Sequence, residues 1–330
     1  MIWLWIAFVA FVVLMLLLDL GVFHRHAHEV RMPEALLWSG IWIALALAFT
    51  VLVYFLCQYR LFGLAWPAEV AGKGTEAAIL FLTGYVVEES LSADNIFVIA
   101  MIFSYFRVPV AYQHRVLFWG ILGAIVLRAA MILGGIALVN RFEWVLYVFG
   151  AFLIFSAVKM LLTSGEADPS RNVFVRLARR LLPVSDALDG SRFLTRRDGR
   201  RMLTPLALVL IAVEGADVLF AVDSIPAIFA ITSIPFIVFT SNIFAILGLR
   251  SMYFALSAVL KKFHYLKISL AVLLAVIGLK MLLKKYVEVL PGKTYLMLGV
   301  IVLILAGGVV ASMIHAKKHP EGKPSGGDAT

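Results

Sequence analysis

Cysteine is almost missing from this chain: Cys57 stands alone among 330 residues, which excludes an internal disulfide framework and any cluster of thiolate metal ligands. Charge is scarce as well. Only 15% of the residues are charged against 62% hydrophobic ones, and apolar runs of twenty or more recur from end to end, the composition of a polytopic helical membrane protein. The chain also lacks a nucleophile elbow, a zinc-protease motif and a phosphate-binding glycine loop, so it is not read as an enzyme. A formal charge of +9 would suit nucleic acid, but the basic residues gather in short loops between apolar runs. There they set orientation, and no nucleic-acid partner is expected.

What is present is a series of nine apolar stretches, predicted as helices near 2–23, 35–57, 77–104, 113–139, 142–163, 204–232, 234–258, 263–285 and 293–315. The expected fold is an all-α bundle of about nine transmembrane helices in the lipid bilayer. Residues 1–60 supply an N-terminal two-helix segment, 286–315 the last span, and 316–330, ending KKHPEGKPSGGDAT, a polar tail expected to be disordered. The opening MIWLWIAFVAFVVLMLLLDLGVF has neither the basic n-region nor the cleavage site of a signal peptide and is expected to remain as a span.

One connection is long. Residues 164–203 hold nine arginines, from Arg171 to Arg201, which the positive-inside rule assigns to the cytoplasm. With the N-terminus outside and the C-terminus cytoplasmic, the inner loops and tail collect 18 basic residues and the outer loops 6. Within the long connection VFVRLARRLLP alternates apolar and basic residues at helical spacing. An amphipathic helix on the anionic inner leaflet is expected there, with a regulatory or partner-binding role as the alternative.

The chain is organised around VEGADVLFAVDSIP, which sets Glu214, Asp217 and Asp223 inside an apolar stretch. Facing lipid, each would cost about 2.5–3.5 kcal/mol, so they face protein, water or a cation. The stretch has a counterpart. Glu88 precedes Asp94 by six residues in EESLSADNIFVIAMIF, and Asp217 precedes Asp223 by six in DVLFAVDSIPAIFAI, so that Asn95 corresponds to Ser224. The next helix of each half carries an arginine, Arg128 and Arg250, and the one after a lysine, Lys159 and Lys280. Residues 77–163 and 204–285 are therefore read as two three-helix units, helices 3–5 and 6–8. Because each has an odd number of spans, the second is inverted, an arrangement that holds substrate near the midplane.

Glu88 and Asp217 fall at matching depths, near the centre of a ~30 Å hydrocarbon core. A six-residue step turns the side chain by about 240°. Either the helices open locally, at Gly84 and Pro226, or Asp94 and Asp223 point at a neighbour such as Arg128 or Arg250. Seven acids (Asp19, Glu88, Glu89, Asp94, Glu214, Asp217, Asp223) stand against four bases (Arg128, Lys159, Arg250, Lys280). Full pairing would leave three acids over, which calls for protons or a cation. With no histidine deep in a span and HRHAH at 24–28 read as a solvated loop, the donors are oxygens. Carboxylates with Asn95, Ser224 and Asn242 suit Mn²⁺, Mg²⁺ or Ca²⁺.

At these residues the chain resembles the TerC family, through TGYVVEESLSADNIFV, LVLIAVEGADVLFAVDSIPAIFA and TSNIFAILGLRSMYF, and the likeness runs from the first helix to the ninth. The resemblance implies a nine-span inner-membrane protein exporting Mn²⁺ as substrate, with no permanently bound cofactor, in a family associated with tellurium resistance. It carries the metal-site role onto Glu88, Asp94, Asn95, Glu214, Asp217, Asp223 and Ser224. Two functions stay open: an exporter of divalent cations coupled to protons or membrane potential, and a non-transporting scaffold of a tellurium-resistance or envelope-stress complex.

Overall fold

Each of the nine apolar stretches forms a helix in the computed structural model, which describes residues 2–21, 32–63, 66–162, 173–185, 187–197, 200–256, 265–287 and 292–318. In chain order these are α1 (Ile2–Gly21), α2 (Met32–Gln58), α3 (Gly74–Tyr105), α4 (Val110–Arg141) and α5 (Val145–Leu162). Then come a short α6 (Val173–Leu181), strands β1 (Leu194–Arg197) and β2 (Arg200–Leu203), α7 (Pro205–Phe229), α8 (Pro235–Leu256), α9 (Leu266–Leu282), α10 (Lys284–Val287) and α11 (Lys293–Lys318). Apart from the hairpin, the regular structure among the described residues is helical.

By length and composition six helices can cross a membrane: α2, α4, α5, α7, α8 and α11. α1 offers a shorter apolar run, over Ile2–Leu18. α3 is long, but Glu88, Glu89 and Asp94 crowd its middle, and α9 has 17 residues. The outer face is apolar, with Trp3 77% and Leu303 74% exposed, as a lipid-facing surface requires. This is a multi-pass membrane bundle.

Most boundaries differ from the expected ones by two or three residues. α2 and α3 start earlier, at Met32 and Gly74, and the N–H of Gly74 donates to Gln58 Oε1 at 3.0 Å, joining the two helices. α11 continues through Lys318, so the first residues of the expected tail are helical. Residues 319–330, the HRHAH run and the side chain of Asp19 lie outside the described residues.

The long connection is more built than expected. α6 buries Val175 and Ala178, turns Arg176, Arg179 and Arg180 outward, and packs on α7, with the Phe174 ring filling the space beside Gly215. The amphipathic helix is thus present: Val175 and Ala178 meet α7, while Val173, Leu177 and Leu181 stay exposed. β1 pairs antiparallel with β2, Leu194 opposite Leu203 and Arg197 opposite Arg200. The hairpin ends where α7 begins: the Thr204 hydroxyl accepts from the Ala207 N–H at 3.3 Å and donates to the Arg192 carbonyl at 2.7 Å. Thr204 as N-cap with Pro205 after it gives α7 a sharp start.

Inside the bundle α3 packs on α7 and α8, α4 on α7 and α8, and α5 on α9. The α5–α9 contact is backbone to backbone. A Cβ on Gly150 would stand 2.9 Å from the Gly278 carbonyl oxygen, and one on Gly278 2.7 Å from that of Gly150, an approach that only glycine permits. An aromatic cluster of Phe8, Phe49, Phe81, Phe236 and Phe244 ties α1 and α2 to α3 and α8.

Candidate functional site

α7 is one helix from Pro205 to Phe229, running through Pro226, and α3 is one helix through Gly84. Neither opens. The six-residue step therefore sends the two acids of each helix to different neighbours.

The first acids meet. Arg128 of α4, 1% exposed, lies between Glu88 of α3 and Asp217 of α7. Its guanidinium forms an ion pair with Glu88 Oε1 and grips Asp217 twice, through NH2 to Oδ1 at 3.0 Å and Nε to Oδ2 at 3.5 Å. NH1 also donates to Asn242 Oδ1 of α8 at 3.3 Å, while Asn242 Nδ2 donates to the Val238 carbonyl at 3.0 Å. The second bond fixes which end of the amide faces the arginine. Four helices thus contribute to one cluster, and a planar fork suits two carboxylates as an ammonium would not.

The second acids face lysines. Asp223 accepts a hydrogen bond from Ser156 of α5 at 2.6 Å and lies in the field of Lys159. Asp94 lies in the field of Lys267 on α9. Of the two alternatives for these acids, local opening or a neighbour such as Arg128 or Arg250, the helices do not open, and Arg128 is engaged by the first acids. Lys267 lies in α9 outside the recurring arginine and lysine pattern, and the structure adds it to the bases around these acids.

Glu214 stands one turn before Asp217, its carboxylate pressed on Gly123 of α4 so closely that a Cβ there would overlap it. Its Oε2 is buried without a hydrogen-bond partner, as is the Ser224 hydroxyl. Glu89 turns elsewhere, toward Gly248 of α8 and Trp42 of α2. Lys280 donates to the Ala230 carbonyl at 2.7 Å just beyond α7, and Arg250 is buried in α8.

Asn95 joins Arg128 and Asp217 around a cavity of about 20 Å³, bordered also by Gly120, Ala124 and Phe220, room for about one water. A far larger cavity, about 750 Å³, opens at the end of the bundle where α7 finishes and α3 starts, edged by Glu69, Glu76, Glu143 and Lys280. It reaches Thr83, five residues and so about 7.5 Å along α3 from Glu88. The ion cluster lies between the two spaces. Among the described residues no three His, Cys, Asp or Glu side chains gather closely enough to hold a metal ion; the oxygens of Glu88 and Asp217 are instead engaged by Arg128.

Comparison with known proteins bears on this architecture. Residues 73–320 match the model of the "Integral membrane protein TerC family". A Myxococcus xanthus protein named "Uncharacterized membrane protein STKORF319" is 49% identical over 318 residues, covering 96% of this chain and 94% of its own. The Escherichia coli K12 protein named "Putative membrane-bound redox modulator Alx" is 47% identical over 289 residues, 87% of each chain. A Rickettsia bellii membrane protein is 38% identical over 311 residues, 94% of this chain and 97% of its own. No solved structure matches. The match spans both acidic helices, the arginine between them and the helices that enclose them: the chain belongs to the TerC family of integral membrane proteins.

Proposed function

We propose that this protein exports divalent cations, Mn²⁺ foremost, through a carboxylate-lined site between two inverted three-helix units, driven by protons or the membrane potential. The observation that carries the reading is the convergence of Glu88 and Asp217, from separate helices, on Arg128, which is itself 1% exposed within a membrane bundle. Charge is not balanced there. Two carboxylates, Glu88 and Asp217, share one guanidinium, and ionised they leave one negative charge, to which Glu214, one turn before Asp217 on α7, adds a second. Intramembrane carboxylates mark ion pathways far more often than they serve as scaffolding. Oxygen donors from Glu88, Asp94, Asn95, Glu214, Asp217, Asp223 and Ser224 suit a hard ion as substrate.

The inverted repeat draws support from symmetric contacts. Exchanging α3, α4 and α5 with α7, α8 and α9 turns the α3–α8 contact into the α7–α4 contact, and both exist. Asp94 faces the third helix of the other half, at Lys267, and Asp223 faces the third helix of the first half, at Lys159. α3 and α7 cross antiparallel, with Gly84 near Ile228 and Asn95 sharing a cavity with Asp217. Those are the crossings expected of a pseudo-two-fold axis between the helices.

Nine spans with the N-terminus outside would put the arginine-rich connection and the C-terminus in the cytoplasm. Reporters after Thr330 and within 164–170 are expected to read as cytoplasmic, and one between Gly72 and Gly74 as external. An external reading at 164–170 would remove the inversion on which the midplane site depends.

A second reading, a non-transporting scaffold in a tellurium-resistance or envelope-stress complex, is favoured by the pairing of Glu88 and Asp217 with Arg128, because buried ion pairs also serve structure. The Alx relatives' name speaks of redox, but thiol chemistry within this chain would rest on Cys57 alone. Metal flux separates the readings. Everted vesicles bearing the protein should accumulate Mn²⁺, and cells stripped of their manganese exporters should regain Mn²⁺ tolerance on its expression, with little gain for Zn²⁺ or Cu⁺. Rescue of zinc tolerance without manganese would overturn the ion assignment, and no flux of any divalent ion would leave the scaffold.

A further inference from the structure

Arg128 is held where a transported cation would have to sit. Its guanidinium engages Glu88 and Asp217 at once, and a divalent ion cannot use those oxygens while a positive group covers them: like charges a few ångströms apart in a poorly screened interior repel by several kcal/mol. We propose that Arg128 is a tethered stand-in for the cation, occupying the acids when no metal is bound and leaving them when metal arrives. This inference rests on the exporter reading above.

The surroundings of Arg128 allow such a movement. Side chains on a helix lean toward its N-terminus, so Arg128 leans over Ala124 and Gly120, one and two turns earlier on the same face of α4. Both residues are small, and both border the cavity of about 20 Å³ that Arg128 also lines. The guanidinium therefore borders a small free space next to small side chains, which lets it shift in part. Asn242 offers a neutral acceptor at 3.3 Å, a partner that does not bind the arginine as an ion pair does.

The device solves a problem peculiar to a carrier in lipid. An empty site of bare carboxylates would be costly to carry through a conformational change, since uncompensated charge is expensive in the membrane interior. With Arg128 on the acids, the empty protein remains partly neutralised. With metal there instead, the arginine is displaced, and its return helps to expel the ion. Affinity is lowered in proportion to how seldom the acids are free. If they are free about one tenth of the time, the apparent Kd is about 10-fold weaker than without the competitor.

Equilibrium binding of radioactive Mn²⁺ to the purified full-length protein, with efflux measured in liposomes, tests this. Arg128→Gln is expected to bind Mn²⁺ about 10-fold more tightly than wild type while its efflux falls, because nothing returns to displace the ion. Arg128→Lys keeps a charge but loses the fork, and is expected to bind a few-fold more tightly and retain part of the efflux. A structural role predicts the opposite, weaker binding as the acids lose their organiser. Folded Arg128→Gln with unchanged or weaker affinity overturns the proposal; if that variant does not fold, unchanged or weaker affinity of Arg128→Lys does so. Mn²⁺ binding by wild type without gain in the variants sinks the tethered cation alone, whereas no Mn²⁺ binding by any folded form sinks the exporter reading beneath it.

Discussion

Asp217→Asn is expected to lower manganese efflux per folded molecule by at least about 10-fold, since affinity for a hard divalent ion follows the number of charged oxygen ligands. The amide keeps the size of the carboxylate and an oxygen that can still accept from Arg128, whose second acid, Glu88, remains. Folding should therefore survive. Asp223→Asn keeps an acceptor for Ser156 and is expected to behave alike, as are Glu88→Gln and Asp94→Asn in the other half. Glu89→Gln, whose carboxylate borders Gly248 and Trp42, should matter less, and Glu288→Gln, between α10 and α11, should leave efflux unchanged. Joining Glu88→Gln to Asp217→Asn is a different test, because it strands a buried guanidinium at a cost of about 3–5 kcal/mol. Efflux is measured from everted vesicles and normalised to folded protein. Normal efflux by the combined Asp217 and Asp223 variant would refute the metal-site reading, and loss of folded protein from the single variants would make these acids structural partners of the bases around them.

Gly278→Leu should remove most of the folded protein. A Cβ at this position meets the Gly150 carbonyl oxygen at 2.7 Å and the side chains of Ile154 and Leu153 at 2.9 and 3.1 Å. A backbone oxygen cannot rotate aside, so α5 and α9 must separate. Overpacking by a single methyl costs about 1–3 kcal/mol, and leucine adds three more carbons. Membrane helices associate largely through such close packing of small residues, without a hydrophobic drive to hold them once it is lost. Gly278→Ala is expected to lower the melting temperature of the purified protein, Gly278→Leu to abolish a monodisperse folded species, and Gly299→Leu, where nothing lies within 4 Å, to change neither. A Gly278→Leu protein as stable as wild type would mean that the two helices do not meet backbone to backbone.

The helices themselves were legible in the residue order, because an apolar run of sufficient length has one low-energy form where backbone polar groups find no water. The recurrence of acid, amide or hydroxyl, arginine and lysine in the same order around Glu88 and Asp217 is a pattern of the residue order too. The hairpin at 194–203 went unread despite the Asp198–Gly199 dipeptide at its centre, a strong two-residue turn signal, because arginine on both sides masked the alternation of a strand. Lys267 was not legible from the recurring pattern, because Lys280 repeats Lys159 while Lys267 has no lysine counterpart in 142–158. What no count of charges could decide is which base each acid meets. Helix spacing turns Glu88 and Asp94 about 240° apart, but the rotation and tilt that bring one to Arg128 and the other toward Lys267 are settled by packing between helices, through contacts such as Gly150 on Gly278 and Glu214 on Gly123. Residue order thus determined that buried acids would need positive partners, and tertiary packing decided that Glu88 and Asp217 share one, because only neighbouring helices locked at a particular rotation can bring two carboxylates from separate segments onto a single guanidinium.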